Sequence, residues 1–105
     1  MWLLDFGQPI GREQAGRRPA IVVSDDGMND GPAGLVIVVP VTSIRRALPS
    51  HIELDDPATG LDEVSYAKCE DVKSVSDHRL IARLGAAPVA PMFEIERVLR
   101  YLLGL

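Results

Sequence analysis

The chain has 105 residues, of which 47% are hydrophobic and 25% are charged, and its formal net charge at pH 7 is -4. This length predicts one domain over residues 1–105, built around a single core. The acidic balance excludes binding of a polyanion through bulk charge, so a nucleic-acid site would need a local cluster of cations. A single cysteine excludes an internal disulfide, and no apolar run approaches the ~20 residues of a membrane span. We therefore expect a cytoplasmic protein that does not engage a membrane.

Short strands dominate the predicted secondary structure. In chain order they cover residues 2–6, 20–24, 35–41, 50–54, 64–69 and 80–84, with a long loop at 7–18 and a polar turn at 25–32. The segment 50–54 alternates between polar and apolar residues. This alternation predicts that Ile52 and Leu54 point into the core while His51 and Glu53 point outward.

The end of the chain has a different periodicity. Its apolar residues recur at helical spacing, as a stripe made of Met92, Ile95, Val98, Leu99, Leu102 and Leu103. Pro91 suits the first turn of such a helix, and Gly104 suits its end, so we expect a helix over 91–103. Several antiparallel strands followed by one helix predict an α+β fold, a small and partly open antiparallel β-barrel.

Cations and hydroxyls flank the two most regular strands. Arg17 and Arg18 come directly before the apolar run 20–23, and Pro19 restricts Arg18 to an extended conformation. The strand at 35–41 is followed by two hydroxyl residues, Thr42 and Ser43. Five of the eleven Lys and Arg residues lie in two predicted loops between residues 12 and 46, namely Arg12, Arg17, Arg18, Arg45 and Arg46. Because arginine presents a planar fork of donors to phosphate oxygens, this arrangement favours a phosphate-binding site.

A set of short motifs, taken in order, resembles the MazF/PemK/Kid family of toxin–antitoxin ribonucleases. The motifs are DFG at 5–7, GREQAGRRP at 11–19, VPVTS at 39–43, PSHIEL at 49–54, GL at 60–61, CE at 69–70 and LGL at 103–105. The resemblance implies an SH3-like barrel with a C-terminal helix. It also implies a type II toxin that cleaves single-stranded RNA in a sequence-selective and metal-independent way, without a cofactor.

The resemblance assigns catalytic roles to three residues. Arg18 and Thr42 match the catalytic arginine and threonine of the family, and Glu70 occupies the place of a proposed acid–base carboxylate. Arginine can stabilise charge on phosphorus but is a poor base, and Glu70 could take a 2′-hydroxyl proton only if its pKa were raised. Two other interpretations stay open: Thr42 as a strand-end hydroxyl bonded to backbone, and Lys68 with Glu70 as a solvated ion pair.

The same resemblance, with the charge pattern, suggests which residues contact RNA. They are Arg12, Glu13, Gln14, Arg17, Ser43, Arg45, Arg46, His51 and Lys68. No His, Cys, Asp or Glu cluster has the spacing of metal ligands, so we expect no metal site.

The family also implies partners: single-stranded RNA, a cognate antitoxin that is MazE-like or of another type, and a second copy of the chain in a homodimer. Two alternatives remain at this stage. The chain could be a toxin of the same fold that binds a protein target, as the gyrase-poisoning CcdB toxins do, or a catalytically silent nucleic-acid-binding module. The gyrase poisons depend on a tryptophan near the C-terminus, and this chain ends in Tyr101 to Leu105 without one.

Overall fold

Seven strands and two α-helices make up the part of the chain that the computed structural model describes, residues 1–7 and 16–105. The strands are β1 (Trp2–Asp5), β2 (Arg17–Val22), β3 (Leu35–Thr42), β4 (His51–Leu54), β5 (Ser65–Lys68), β6 (Lys73–Ser76) and β7 (Leu80–Arg83). The helices are α1 (Asp26–Asn29) and α2 (Val89–Leu103), and three single 3₁₀ turns cover Pro57–Thr59, Cys69–Asp71 and Asp77–Arg79.

The strands form an antiparallel sheet in the order β4-β5-β3-β2-β1-β7, and β6 pairs separately with β3. Strand β3 is the centre of this arrangement because it pairs with β2, with β6 over its first half and with β5 at its end. The sheet does not close on itself. This architecture, with the C-terminal helix, confirms the predicted α+β fold and the partly open antiparallel barrel.

Alternate residues of β3 point into two separate hydrophobic clusters. Val36 and Val38 join one cluster with Leu4 and Ala20 of the neighbouring strands. Val39 and Val41, which point to the opposite face, belong to a larger cluster that also contains Ile95 and Val98 of α2. Because side chains alternate along a strand, both faces of β3 are buried over most of its length.

Helix α2 covers one face of the sheet. Ile95 and Val98 are buried, and the helix ends at Gly104 in the left-handed conformation with φ 71°. The helix begins at Val89, earlier than expected, and Pro91 lies in its first turn as predicted. The C-terminal end of the predicted apolar stripe lies outside the core, as the exposure of Leu102 and Leu103 shows. No helix in the described ranges is long and apolar enough to cross a membrane.

The structure contains two elements that the sequence did not predict, β6 and α1. Strand β6 pairs with the first half of β3, from Leu35↔Ser76 to Val38↔Lys73, through contacts distant in sequence. Helix α1 replaces part of the expected turn at 25–32, and the Asp25 side chain caps it by accepting a hydrogen bond from the Gly27 N–H at 2.9 Å.

Candidate functional site

Arg18 and Thr42 lie on one face of the sheet, at the ends of neighbouring strands. Strand β2 begins at Arg17 rather than at residue 20 as predicted, because Arg17 and Arg18 pair with Asp5 and Leu4 of β1. The two arginines are therefore part of a strand, not of the preceding loop. Their side chains point to opposite faces, as those of adjacent strand residues do.

The register between β2 and β3 brings Arg18 near Thr42. Ala20 is paired with Pro40. Arg18 lies two residues before Ala20, and Thr42 lies two residues after Pro40, so antiparallel geometry places them opposite each other on the same face. Both line a cleft of about 190 Å³ together with Ser43, and the segment before β5 supplies its opposite wall through Leu61, Asp62, Glu63 and Ser65.

The Thr42 hydroxyl is held by the backbone. Its Oγ1 accepts a hydrogen bond from the Ile44 N–H at 3.2 Å, so the interpretation as a strand-end hydroxyl bonded to backbone describes the oxygen correctly. A hydroxyl can accept and donate at once, and this contact uses only an acceptor lone pair of the oxygen. The hydroxyl proton is therefore the part of Thr42 that can donate to a ligand in the cleft.

The cleft has mixed charge. The cation of Arg18 shares it with the carboxylates of Asp62 and Glu63, two residues that no sequence motif indicated. They come from an irregular segment whose position depends on the packing of β5 against β3 and β4. The cations that extend the site, Arg45 and Arg46, are exposed on the loop that follows Thr42.

A second polar group surrounds Glu70. Its Oε1 accepts a hydrogen bond from Ser50 Oγ at 2.8 Å, and its Oε2 lies 2.8 Å from His51 Nε2. Because an ionised carboxylate only accepts, the imidazole proton belongs on Nε2. His51 points away from the core face of Ile52 and Leu54, as predicted, but its expected accessibility is wrong: Glu70 covers the imidazole, only 2% of its side chain is exposed, and little of it is accessible to RNA.

The environment of Glu70 favours its charged form. Burial raises the pKa of Glu70, but hydrogen bonds from His51, the backbone and Ser50 outweigh that effect and leave this pKa below its ordinary value of 4.5. A raised pKa, which a general base at this position would need, is therefore not found. Lys68 also differs from the expected ion pair, since its Nζ bonds Asp71 Oδ2 at 2.8 Å instead of Glu70.

The two groups share one face of the sheet. Thr42 is paired with Tyr66 of β5, and Lys68, two residues further along the same strand, is paired with His51. The structure thus brings Arg18, Thr42 and Ser43 together in the cleft, and Lys68, His51 and Glu70 together beside it. Of the other predicted RNA contacts, Arg12, Glu13 and Gln14 lie outside the described residues, and Arg17 points away from the cleft.

Neither Cys69 nor a cluster of metal-ligating side chains belongs to the candidate site within the described residues. Cys69 is fully buried, and burial raises the pKa of its thiol to about 11, which suits the predicted role as a small core residue. Within residues 1–7 and 16–105, no three His, Cys, Asp or Glu side chains are grouped so that they could hold a metal ion.

Known proteins similar to this chain point to one family. A protein-family model described as "PemK-like, MazF-like toxin of type II toxin-antitoxin system" matches residues 1–103. The chain is 32% identical over 110 residues to Endoribonuclease MazF9 of Mycobacterium tuberculosis, and the match covers 100% of this chain and 93% of that protein. It is similar to the crystal structure of MazF (Form-I) from Deinococcus radiodurans, with a TM-score of 0.83, 32% identity, and 99% and 92% of the two chains covered.

A solved complex is similar as well. It is the structure described as "Endoribonuclease in complex with its cognate antitoxin from Mycobacterial species". The TM-score is 0.81 at 25% identity, with 99% of this chain and 90% of that chain covered.

The lowered pKa of Glu70 predicts a pH-dependent contribution to stability. A carboxylate with a depressed pKa in the folded state stabilises fully above its unfolded pKa, and this stabilisation is lost as the pH falls through the folded value. Glu70→Gln should therefore lower the free energy of unfolding at pH 7, by about 1 kcal/mol or less because solvent screens a side chain that is 36% exposed. Urea unfolding of both proteins should show this difference shrinking as the pH falls below about 4.5. An equal difference at pH 7 and pH 3 would contradict the assignment.

Proposed function

The chain belongs to the PemK-like, MazF-like toxin family of type II toxin–antitoxin systems, and on that premise we propose that it is an endoribonuclease that cleaves single-stranded RNA. The observation that supports this proposal most strongly is the convergence of Arg18 and Thr42 in one cleft. Relatives that cover nearly the whole chain are named endoribonucleases, which supports the same activity.

RNA supplies the nucleophile for the proposed reaction. The 2′-hydroxyl next to the scissile phosphate loses its proton to a base as it attacks phosphorus. The bond to the 5′-oxygen of the next nucleotide breaks and this oxygen takes up a proton, so that a 2′,3′-cyclic phosphate and a 5′-hydroxyl result. The protein must align the hydroxyl, stabilise the negative charge that develops on the phosphate oxygens, and move protons. This chemistry requires no metal ion, because the attacking group is already present in the substrate.

Arg18 and Thr42 divide these tasks. The guanidinium group of Arg18 can bind two phosphate oxygens through its planar fork of N–H donors. The Thr42 hydroxyl is oriented by the Ile44 N–H and can donate to a non-bridging oxygen, which would hold the phosphate in register. The group that takes the 2′-hydroxyl proton is not Glu70 in the arrangement proposed here, because hydrogen bonds from Ser50 and His51 lower the pKa of Glu70 and so make it a weaker base.

The RNA strand would extend from the cleft across exposed polar groups. Ser43 lines the cleft itself, and Arg45 and Arg46 follow on the exposed loop. Lys68 lies on the same face through the pairing of β5 with β3 and β4. Contacts of this type fix the phosphate backbone and make the affinity depend on salt. No specific feature of the structure favours a gyrase-poison-like toxin or a silent binding module over the endoribonuclease.

We also propose two protein partners and a cytoplasmic location. The exposed surface of α2 includes Phe93, 67% exposed, and Tyr101, 83% exposed, an apolar face that an isologous contact with a second copy would bury. A cognate antitoxin is the second partner, as it is for the similar endoribonuclease solved in such a complex. If the antitoxin covers the cleft and its arginines, it inhibits by competing with RNA.

Replacing single side chains separates the catalytic arginine from those that only bind. Arg18→Ala should lower kcat by about 10²-fold or more, because the lost cation interacts most strongly with charge that develops in the transition state. Thr42→Val, which keeps the shape and removes the hydroxyl, should give a smaller but clear loss of kcat. Arg45→Ala is the matched control: it should weaken RNA binding and reduce the salt slope by roughly one unit at most, with kcat nearly unchanged. Equal effects of Arg18→Ala and Arg45→Ala on binding, with the saturated rate kept in both, would refute the catalytic assignment.

One sedimentation experiment with fluorescent RNA tests both partners. The chain alone at micromolar concentration should sediment as a dimer that carries the RNA. Added antitoxin should release the RNA in proportion to its excess, because two ligands of one site exchange by mass action. An active monomer would contradict the dimer, and a stable complex of toxin, RNA and antitoxin would contradict the shared site.

A further inference from the structure

We propose that Glu70 is a positioning residue for the arginine loop, residues 43–50, which carries Arg45 and Arg46. Together with Ser50 and His51 it fixes the end of this loop, and it therefore acts on RNA binding through the two arginines and not on proton transfer. This inference rests on the proposed RNA-cleaving function and assigns Glu70 a different part in it.

The arginine loop is not held by a core of its own. Every residue from 43 to 49 is exposed, including the apolar side chains of Ile44 at 57% and Leu48 at 44%. Ala47 has a φ of 53°, in the left-handed region that residues other than glycine rarely adopt. A loop with an unfavourable backbone conformation and no buried side chain keeps its shape only if other contacts fix it.

Those contacts lie at the two ends of the loop. At its start, the Ile44 N–H donates to Thr42 Oγ1 at 3.2 Å. At its end, the Ser50 carbonyl accepts from the Cys69 N–H at 3.1 Å, and Ser50 Oγ donates to Glu70 at 2.8 Å. The turn Cys69–Asp71 is therefore the support to which the end of the loop is fastened, and Glu70 supplies the only side chain of that turn that bonds Ser50 among the described residues.

His51 makes Glu70 a rigid part of this support. The imidazole is almost fully buried, so its position is set by the surrounding packing, and its Nε2 lies 2.8 Å from the second carboxylate oxygen. Its Nδ1 is buried and has no hydrogen-bond partner within residues 1–7 and 16–105, which favours the tautomer that carries the proton on Nε2 and donates it to Glu70. Each carboxylate oxygen thus holds a protein group, as expected of a positioning residue.

Replacing Glu70 by glutamine should weaken this support while the size of the side chain stays the same. In Glu70→Gln, the amide would keep an acceptor for Ser50 but turn an N–H toward His51 Nε2. The imidazole could accept that bond only by moving its own proton to Nδ1, for which no described residue supplies an acceptor. The same loop contact can be removed from the other side by Ser50→Ala, which leaves the carboxylate and its charge in place.

The experiment compares RNA affinity with catalytic rate for folded variants whose circular dichroism matches the original chain. Affinity is measured by anisotropy with a non-cleavable RNA that has 2′-deoxy sugars, and kcat with the cleavable strand. Glu70→Gln and Ser50→Ala should each weaken affinity about three- to tenfold and leave kcat within about twofold. Asp55→Asn, which removes an exposed carboxylate directly after β4, is the charge-matched control and should change neither value.

A double-mutant cycle shows whether the effect passes through the arginine loop. In the background of Arg45→Ala with Arg46→Ala, Glu70→Gln should cause no further loss of affinity, because the groups that it positions are gone. A fall of kcat by 10²-fold with unchanged affinity would overturn the proposal and make Glu70 a base. An undiminished loss of affinity in the arginine-free background would also overturn it. If RNA is bound but never cleaved by the original chain, the proposed enzymatic function fails, while the affinity comparison still tests the positioning role.

Discussion

The antiparallel register between β2 and β3 is the constraint on which the proposed site depends. Ala20 opposite Pro40 fixes where Arg18 and Thr42 lie, and a shift of one strand by one residue would turn its side chains to the other face and separate the two residues. The register is held by burial on both faces, since Ala20 and Val38 belong to one cluster and Ile21 and Val39 to the other. The packing of the core therefore determines the geometry of a polar cleft that lies outside it.

The polar cleft lies at the end of the central strand of the sheet. Strand β3 pairs with β6 over residues 35–38 and with β5 at residues 41–42, so two strands share one edge of it. The polar cleft lies at the β5 end, where the wall containing Asp62 and Glu63 approaches Arg18. These two carboxylates weaken the positive potential of the cleft, and a polyanion would depend on the exposed arginines of the loop for its initial attraction.

Sequence patterns predicted the elements better than they predicted the contacts between them. The apolar runs located six of the strands, and the helical stripe located α2. These elements were predictable because each one buries apolar residues at a regular spacing that is visible in the sequence. Strand β6 and the wall of the cleft were missed, since both depend on pairing between distant segments. The alternation at 50–54 gave the correct side of the strand for His51 but not its burial, because Glu70, 19 residues later, covers its outer face. The motif that contains Glu70 indicated an important residue but not which groups its carboxylate would bond.

The most direct test of the central claim is cleavage of an RNA strand with a single altered sugar. A strand that contains the cleaved sequence is compared with one that lacks only the 2′-hydroxyl on the 5′ side of the scissile phosphate, both in the presence of a chelator. The account predicts that the first strand is cut to a 2′,3′-cyclic phosphate, or the 3′-phosphate formed from it, and a 5′-hydroxyl, while the second binds and stays intact. Cleavage of the deoxy-substituted strand, or activity that a chelator abolishes and Mg²⁺ restores, would contradict it.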